Sequence, residues 1–135
     1  MSAYQFEHDG YLLSTDKSLL QLDVIHTFLA NESYWAKDIP KSIVAKSMSN
    51  SLCFGVYANG IQVAFARVIS DYATFGYLCD VFVVNEHRGK GISKWLMEKV
   101  MQHPDLLHLR RFTLGTRDAH ELYRKFGFRE PDNAC

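Results

Sequence analysis

The residues best placed to do chemistry lie together in the stretch Asn85-Glu86-His87-Arg88-Gly89-Lys90-Gly91-Ile92-Ser93-Lys94-Trp95-Leu96. It follows an apolar run, Tyr77 to Val84, and leads into an amphipathic segment, so it sits where a strand hands over to a helix. The first N–H groups of a helix have no intrahelical acceptor, and the helix dipole adds partial positive charge at the same end. Such a turn can hold an anion. Gly89 and Gly91 remove side chains, which lets the backbone amides from Arg88 to Ser93 close on a group as bulky as pyrophosphate. Arg88, Lys90 and Lys94 add charge around the rim. The competing reading is a turn that uses glycine only for its bend. A dinucleotide fingerprint starting at Gly89 would need glycine where Lys94 stands, and the stretch has no Gly-Lys-Ser/Thr unit for a nucleotide-binding P-loop.

Two isolated charges come next. Asp80 is the only charge between Tyr77 and Val84, and Arg67 is the only one between Ile61 and Ile69. A carboxylate buried in an apolar strand is a candidate general base, because burial disfavours its charged form. If the two strands are neighbours, Asp80 and Arg67 form a structural ion pair instead, which works against that role. Glu86, His120 or a water chain are further candidates for the base.

Length and composition narrow the setting. The 135 residues, 47% hydrophobic and 22% charged, suit one domain, residues 1–135, with a substantial core. Net charge is zero but unevenly spread: residues 1–87 carry five Lys/Arg against nine Asp/Glu, and residues 88–135 carry ten against six. Either these are two ordinary solvated surfaces, or the second half meets an anion and the first half something cationic. Neither half is basic enough for a nucleic-acid binder. No segment approaches the roughly 20 apolar residues of a membrane span. The opening MSAYQFEHDG lacks the charged-then-apolar pattern of a secretion signal, so a cytoplasmic location is expected. Cys53 and Cys79 sit inside apolar runs and, with Cys135, make an odd count, which fits reduced thiols rather than disulfides. Zinc-site spacing is absent among the cysteines and histidines, and no metal is expected.

The elements that must position these residues follow from periodicity. Tyr11 to Ser14 reads as a short opening strand. Ser18 begins a helix with Gln21 as its capping-box partner, and Leu19, Leu22, Ile25 and Leu29 recur at helical spacing to near Asn31. A second short helix starts after Pro40 and ends near Asn50. Leu52–Tyr57 and Ile61–Ser70 are strands joined through Asn59-Gly60, a hairpin signal, and Phe75–Val84 is a third long strand. Ile92, Trp95, Leu96 and Val100 line a helix that stops before Pro104. His108–Leu114 is a strand. Asp118 and Glu121 open a last helix, with Ala119, Leu122, Tyr123 and Phe126 on its apolar face and Gly127 closing it. The order β-α-α-β-β-β-α-β-α predicts a mixed α/β fold, antiparallel in its first half and ending in a β-α-β crossover.

The segment Val81-Phe82-Val83-Val84-Asn85-Glu86-His87-Arg88-Gly89-Lys90-Gly91-Ile92-Ser93-Lys94-Trp95-Leu96 resembles the acetyl-CoA-binding motif of the GNAT N-acetyltransferase superfamily, roughly Gln/Arg-x-x-Gly-x-Gly/Ala after a strand. Downstream, Ala119-His120-Glu121-Leu122-Tyr123-Arg124-Lys125-Phe126-Gly127-Phe128 is similar to a second signature, Ala-x-x-Leu-Tyr-x-x-x-Gly-Phe. The likeness runs from about Leu52 onward, and the order of elements agrees. Glu86 stands where the consensus prefers Gln or Arg, and Thr116 where many members carry an asparagine beside the pantetheine arm. The short stretch after Phe128 leads us to expect an abbreviated final strand.

The resemblance implies a single GNAT-like domain using acetyl-CoA as co-substrate. It implies pantetheine lying along Val81, Phe82, Val83 and Val84, the diphosphate at Arg88, Gly89, Lys90, Gly91, Ile92 and Ser93, and a further contact at Thr116. The reaction implied is direct attack by an amine, from a small molecule or a protein, with Tyr123 giving a proton to the departing sulfur and Asp80 as a candidate base. The competing reading is that Tyr123 simply packs with Leu122 and Phe126. The acceptor would meet Glu32, Tyr34, Trp35 and Asp38, an acidic and aromatic group suited to a cationic amine, unless the two aromatics only cover the core. Nucleic acid and membrane are not expected partners, and the resemblance leaves room for a homodimer that no surface in the sequence marks. The alternative function is a CoA-binding regulatory or structural domain without catalysis.

Overall fold

Two Asx-Gly pairs organise the first half of the chain. In the computed structural model, which describes residues 3–115 and 123–129, Asp9 and Gly10 have φ of 51° and 83° and join β1 (Gln5–His8) to β2 (Tyr11–Ser14). Left-handed geometry at both turn positions matches the twist of a two-residue hairpin. The opening strand expected at Tyr11–Ser14 is therefore the second strand. β1 escapes a periodicity reading because Phe6 is its only apolar residue; pairing with β2, from Gln5↔Ser14 to His8↔Tyr11, creates it.

The helix expected from Ser18 is divided. Asp16 caps a single 3₁₀ turn, Lys17–Leu19, by accepting from the Ser18 amide at 2.9 Å, and α1 (Leu22–Glu32) begins only after an extended Leu20. No capping box forms, because Gln21 pairs with Gln62 instead. The Gln21 amide donates to Gln62 Oε1 at 2.8 Å, and the Gln62 amide donates back to Gln21 Oε1 at 3.0 Å. A buried glutamine must have such partners, and they bind the start of α1 to the sheet.

α2 (Lys41–Ser49) follows Pro40 as expected. Asn59-Gly60 joins β3 (Leu52–Ala58) to β4 (Ile61–Ser70), β5 (Phe75–Val83) returns beside β4, and α3 (Ile92–Met101) crosses over to β6 (Arg111–Leu114). The six strands lie in sequence order, antiparallel except for the parallel pair β5 and β6. β6 is shorter than the His108–Leu114 expected, since its partner begins only at Phe75, opposite Arg111. Of the expected last helix, residues 116–122 lie outside the described residues. Its end is in place: Gly127 has φ of 91° and Phe128 donates to the Tyr123 carbonyl at 3.2 Å. The expected final strand also lies outside the described residues.

Helices cover both faces of the sheet. Phe54, Val56, Ala66, Val68 and Leu78 pack with Leu96, Met97 and Val100 of α3, while Cys53, Phe65 and Phe82 pack with Ile25, Phe28, Leu29 and Val44 of α1 and α2. Among the described residues, no helix is long and apolar enough to cross a membrane.

Two measurements check this packing. Gln62→Leu leaves the Gln21 amide without its acceptor and is expected to lower stability by about 1–3 kcal/mol, seen as a melting point several degrees lower. His103 is buried, and its Nδ1 accepts from the Asp105 amide at 3.1 Å. Burial holds its pKa below the ordinary histidine value. The unfolded chain then takes up a proton that the folded chain refuses, so this contribution is present at neutral pH and is lost as pH falls below about 6.5. Denaturant titrations at pH 7 and pH 5 should show a smaller acid loss in His103→Asn than in the parent.

Candidate active site

The site begins where β5 changes neighbours. β4 follows β5 along its length, but β6 pairs with it only from Phe75↔Arg111 to Leu78↔Leu114. Among the described residues, β5 from Cys79 onward has no strand on its β6 side. The ladder to β4 also shifts there: Phe65 lies opposite Phe82 but Arg67 lies opposite Cys79, so β5 carries one extra residue. This is a β-bulge. Asp80 adopts φ of 55°, a left-handed conformation that costs roughly 1–3 kcal/mol for a residue other than glycine.

Arg67 holds that conformation. Its Nε donates to Asp80 Oδ2 at 2.9 Å, with the two side chains only 14% and 12% exposed. Arg67 Nη1 donates to Ser51 Oγ at 2.8 Å, and Ser51 donates on to the Ser47 carbonyl. The ion pair raised by the sequence is thus formed. Asp80 Oδ1 is engaged as well, accepting from Trp35 Nε1 at 2.9 Å, a contact across 45 residues that no local signal announced.

Past the bulge, the Val84 amide donates to the Val63 carbonyl. Strand alternation then turns the peptide groups of Val81 and Val83 to the open edge. Arg88 confirms the direction, its Nε donating to the Val83 carbonyl at 3.0 Å. Phe82 faces inward and stacks on Phe28, ring centroids 4.1 Å apart.

A 3₁₀ turn, Asn85–His87, leads into the glycine segment. Gly89 and Gly91 have φ of 78° and 79°, and Gly91 is the N-cap of α3. A Cβ at either would meet nothing within 4 Å, so it is the backbone angle that demands glycine. The Arg88 amide donates to the Asn85 carbonyl at 3.3 Å, and the first intrahelical bond of α3 is Trp95 to Gly91. Between them, the amides of Gly89, Lys90, Gly91, Ile92, Ser93 and Lys94 find no acceptor among the described residues. Ile92 is buried and pins the turn to the core, while Lys90 and Lys94 are exposed. Tyr11 steadies the approach through a 2.8 Å hydrogen bond to His87 Nδ1.

The link between α1 and α2 meets β5 through the Trp35 indole. Tyr34 and Trp35 meet edge to face at 5.1 Å and are both 44% exposed. Glu32 Oε1 accepts from Asn85 Nδ2 at 3.3 Å. The sequence grouped Glu32, Tyr34, Trp35 and Asp38, and the fold brings the first and third of these to β5 and the turn after it. Asn85, Ser51 and the Trp35 contact escaped it; the lone charges Asp80 and Arg67 were the legible signal.

Tyr123 is buried with the α3-side core, its ring edge-on to Phe128 at 6.1 Å. Thr116 and His120 lie outside the described residues. Burial pushes the Cys53 and Cys79 thiols up to about 11, so both stay protonated at neutral pH.

Comparison with known proteins agrees with this geometry. The sequence model of the acetyltransferase (GNAT) domain matches residues 49–130. A Gibberella zeae protein provisionally named an acetyltransferase is 36% identical over 138 residues, covering 85% of this chain and 76% of its own. A crystal structure from Xanthomonas campestris pv. campestris, provisionally assigned as a GNAT acetyltransferase, is 57% identical with a TM-score of 0.89, covering 93% of this chain and 87% of that one. A GNAT acetyltransferase from Elizabethkingia anophelis, solved with acetyl-CoA bound, shares the fold at 15% identity and a TM-score of 0.69, over 93% of this chain and 80% of its own. The chain belongs to the GNAT family of acetyltransferases.

Proposed function

We propose that residues 1–135 act as one GNAT-like domain that moves an acetyl group from acetyl-CoA to a primary amine by direct attack. The observation that carries this reading is the edge of β5 beyond Leu78, unpaired on its β6 side among the described residues, which leads through the Asn85–His87 turn to a row of amides, Gly89 to Lys94, that have no acceptor among those residues. Those amides suit the diphosphate of coenzyme A, with Lys90, Lys94 and the Arg88 guanidinium as counter-charges. Pantetheine would lie along Val81–Val84 as an added strand, bonding chiefly to the outward peptide groups of Val81 and Val83, with Thr116 as a further contact.

In this reading the amine nitrogen attacks the thioester carbon, and an N–H of the β5 edge stabilises the oxygen as it becomes negative. Such a donor contributes roughly 3–4 kcal/mol in acyl transfer. As the tetrahedral centre collapses, the C–S bond breaks and Tyr123 gives its phenolic proton to sulfur. The attacking nitrogen loses a proton to solvent and the Tyr123 phenolate takes one back, leaving an amide and free CoA thiol. Protonated Cys53 and Cys79 are poor nucleophiles, which favours direct transfer over an acylated enzyme. Glu32, Tyr34, Trp35 and Asp38 form the wall we assign to the amine, whether carried by a small molecule or a protein. Cys53 and Cys79, unbridged among the described residues, are consistent with work in the cytoplasm.

Thermal melts and thiol release test the proposal in turn. At about a hundred times its dissociation constant, acetyl-CoA should stabilise the fold by roughly 2.7 kcal/mol, a shift of several degrees. Gly91→Val, which opposes the left-handed cap, should diminish that shift. An absence of shift in the parent chain rejects the reading. Across an amine panel, thiol release should identify the acceptor, and Tyr123→Phe should then slow turnover by roughly 100-fold or more with the melting shift retained. Loss of the shift in that variant would make Tyr123 a packing or binding residue.

A further inference from the structure

We propose that Asp80 is a positioning residue that latches the α1–α2 link onto β5, and that it does not take the proton of the amine. The proposal rests on the acetyltransferase reading above, and assigns the bulge a task within that site. In a regular strand, successive side chains point to opposite faces. Here Cys79 is the cross-strand partner of Arg67, and the next residue, Asp80, also bonds the Arg67 side chain. The extra residue and the left-handed φ of 55° have turned Asp80 onto the same face as its predecessor.

Once there, both carboxylate oxygens are engaged by the protein itself. Oδ2 accepts from Arg67 Nε and Oδ1 from Trp35 Nε1, each at 2.9 Å. The groups around it are the Arg67 cation from β4, the Cys79 thiol on its own strand, and the Trp35 indole from the link; Cys53 of β3 is paired with Arg67 from the other side. A carboxylate engaged by a cation and a second donor is better suited to holding than to proton transfer.

The object held is Trp35. The link is braced within itself by Ala36 to Ser33 Oγ at 3.0 Å and Asp38 to the Ala30 carbonyl at 3.0 Å, but these bonds do not reach the sheet. The indole of Trp35 does reach it, and the Glu32 to Asn85 bond at 3.3 Å reaches the turn that follows β5. Trp35 is also the surface against which Tyr34 stands edge-on. Asp80 thereby sets the distance between the aromatic wall assigned to the amine and the open edge assigned to the thioester.

Steady-state kinetics with an amine found by the thiol-release screen tests the latch. Asp80→Asn keeps the shape and tolerates a left-handed backbone; Trp35→Phe keeps an aromatic ring but removes the N–H. Each should raise KM for the amine about 10-fold, the scale of a lost bond to a charged group. In Trp35→Phe, which leaves the Arg67–Asp80 pair intact, turnover, KM for acetyl-CoA and the acid limb of the pH–rate profile should change little. Because the two variants share the Trp35–Asp80 bond, the double variant should be less damaging than the two singles added together. A fall in kcat of about 100-fold in Asp80→Asn, with the acid limb gone and amine KM unchanged, would make Asp80 the base and overturn the proposal. So would a Trp35→Phe enzyme with unaltered amine KM.

If no amine is turned over, the acetyltransferase reading fails on its own, and the latch is judged by hydrogen exchange at the indole N–H groups. Asp80→Gly, which accepts the left-handed angle and removes both acceptor oxygens, should speed exchange at Trp35 about 10-fold while Trp95 serves as the internal reference. Unchanged exchange at Trp35 in a folded Asp80→Gly protein counts against the latch.

Discussion

A left-handed aspartate in the middle of a strand has to be held there, and in this protein an arginine on the neighbouring strand does so. The Arg67–Asp80 pair is nearly excluded from water and is anchored onward through Ser51 to the end of α2. Removing either partner would leave the other charge stranded in an apolar sheet, at a cost on the order of 3 kcal/mol. Where the pair sits, three features coincide: β5 gains its extra residue, the pairing with β6 has ended, and the α1–α2 link comes down onto the sheet. The ion pair is what makes an irregular strand compatible with a packed core on both faces.

The glycine turn works by a complementary principle. Six consecutive amides without a partner among the described residues would be intolerable in a core, yet here Gly89, Lys90, Gly91 and Lys94 lie at the surface. Ile92 is buried beneath them and Tyr11 bonds His87 on the approach, so the turn is fixed on the inside and open on the outside. Bulge and turn lie at the two ends of one short stretch, Asp80 to Gly91. On the proposed reading, that stretch is the track for coenzyme A, with the acyl end at the bulge and the diphosphate at the turn.

Much of this was legible because local physics enforces it. Asn59-Gly60 makes a hairpin almost regardless of context, and Pro40 and Pro104 bound their helices because proline lacks an amide and restricts its neighbour. The lone charges Asp80 and Arg67 stood out against apolar strands, with the ion pair as one of two readings. Other features competed with local signals and won. Ser18 and Gln21 look like a capping box, but Gln62 offers Gln21 a better set of bonds from 41 residues away. β1 has too few apolar residues to show a period and exists because β2 supplies its hydrogen bonds.

The sequence by itself determined which residues could bind an anion and which family motif they compose, because glycines, lysines and a strand-to-helix switch are adjacent in the chain. It also determined the order of the main elements, since hydrophobic period is a local property. Only the tertiary structure decided that β5 leaves β6 at Leu78, that Asp80 is turned onto the face of Cys79, and that Trp35 reaches it. Strand register and contacts across tens of residues depend on what the rest of the chain leaves unpaired, and no local window of sequence contains that balance.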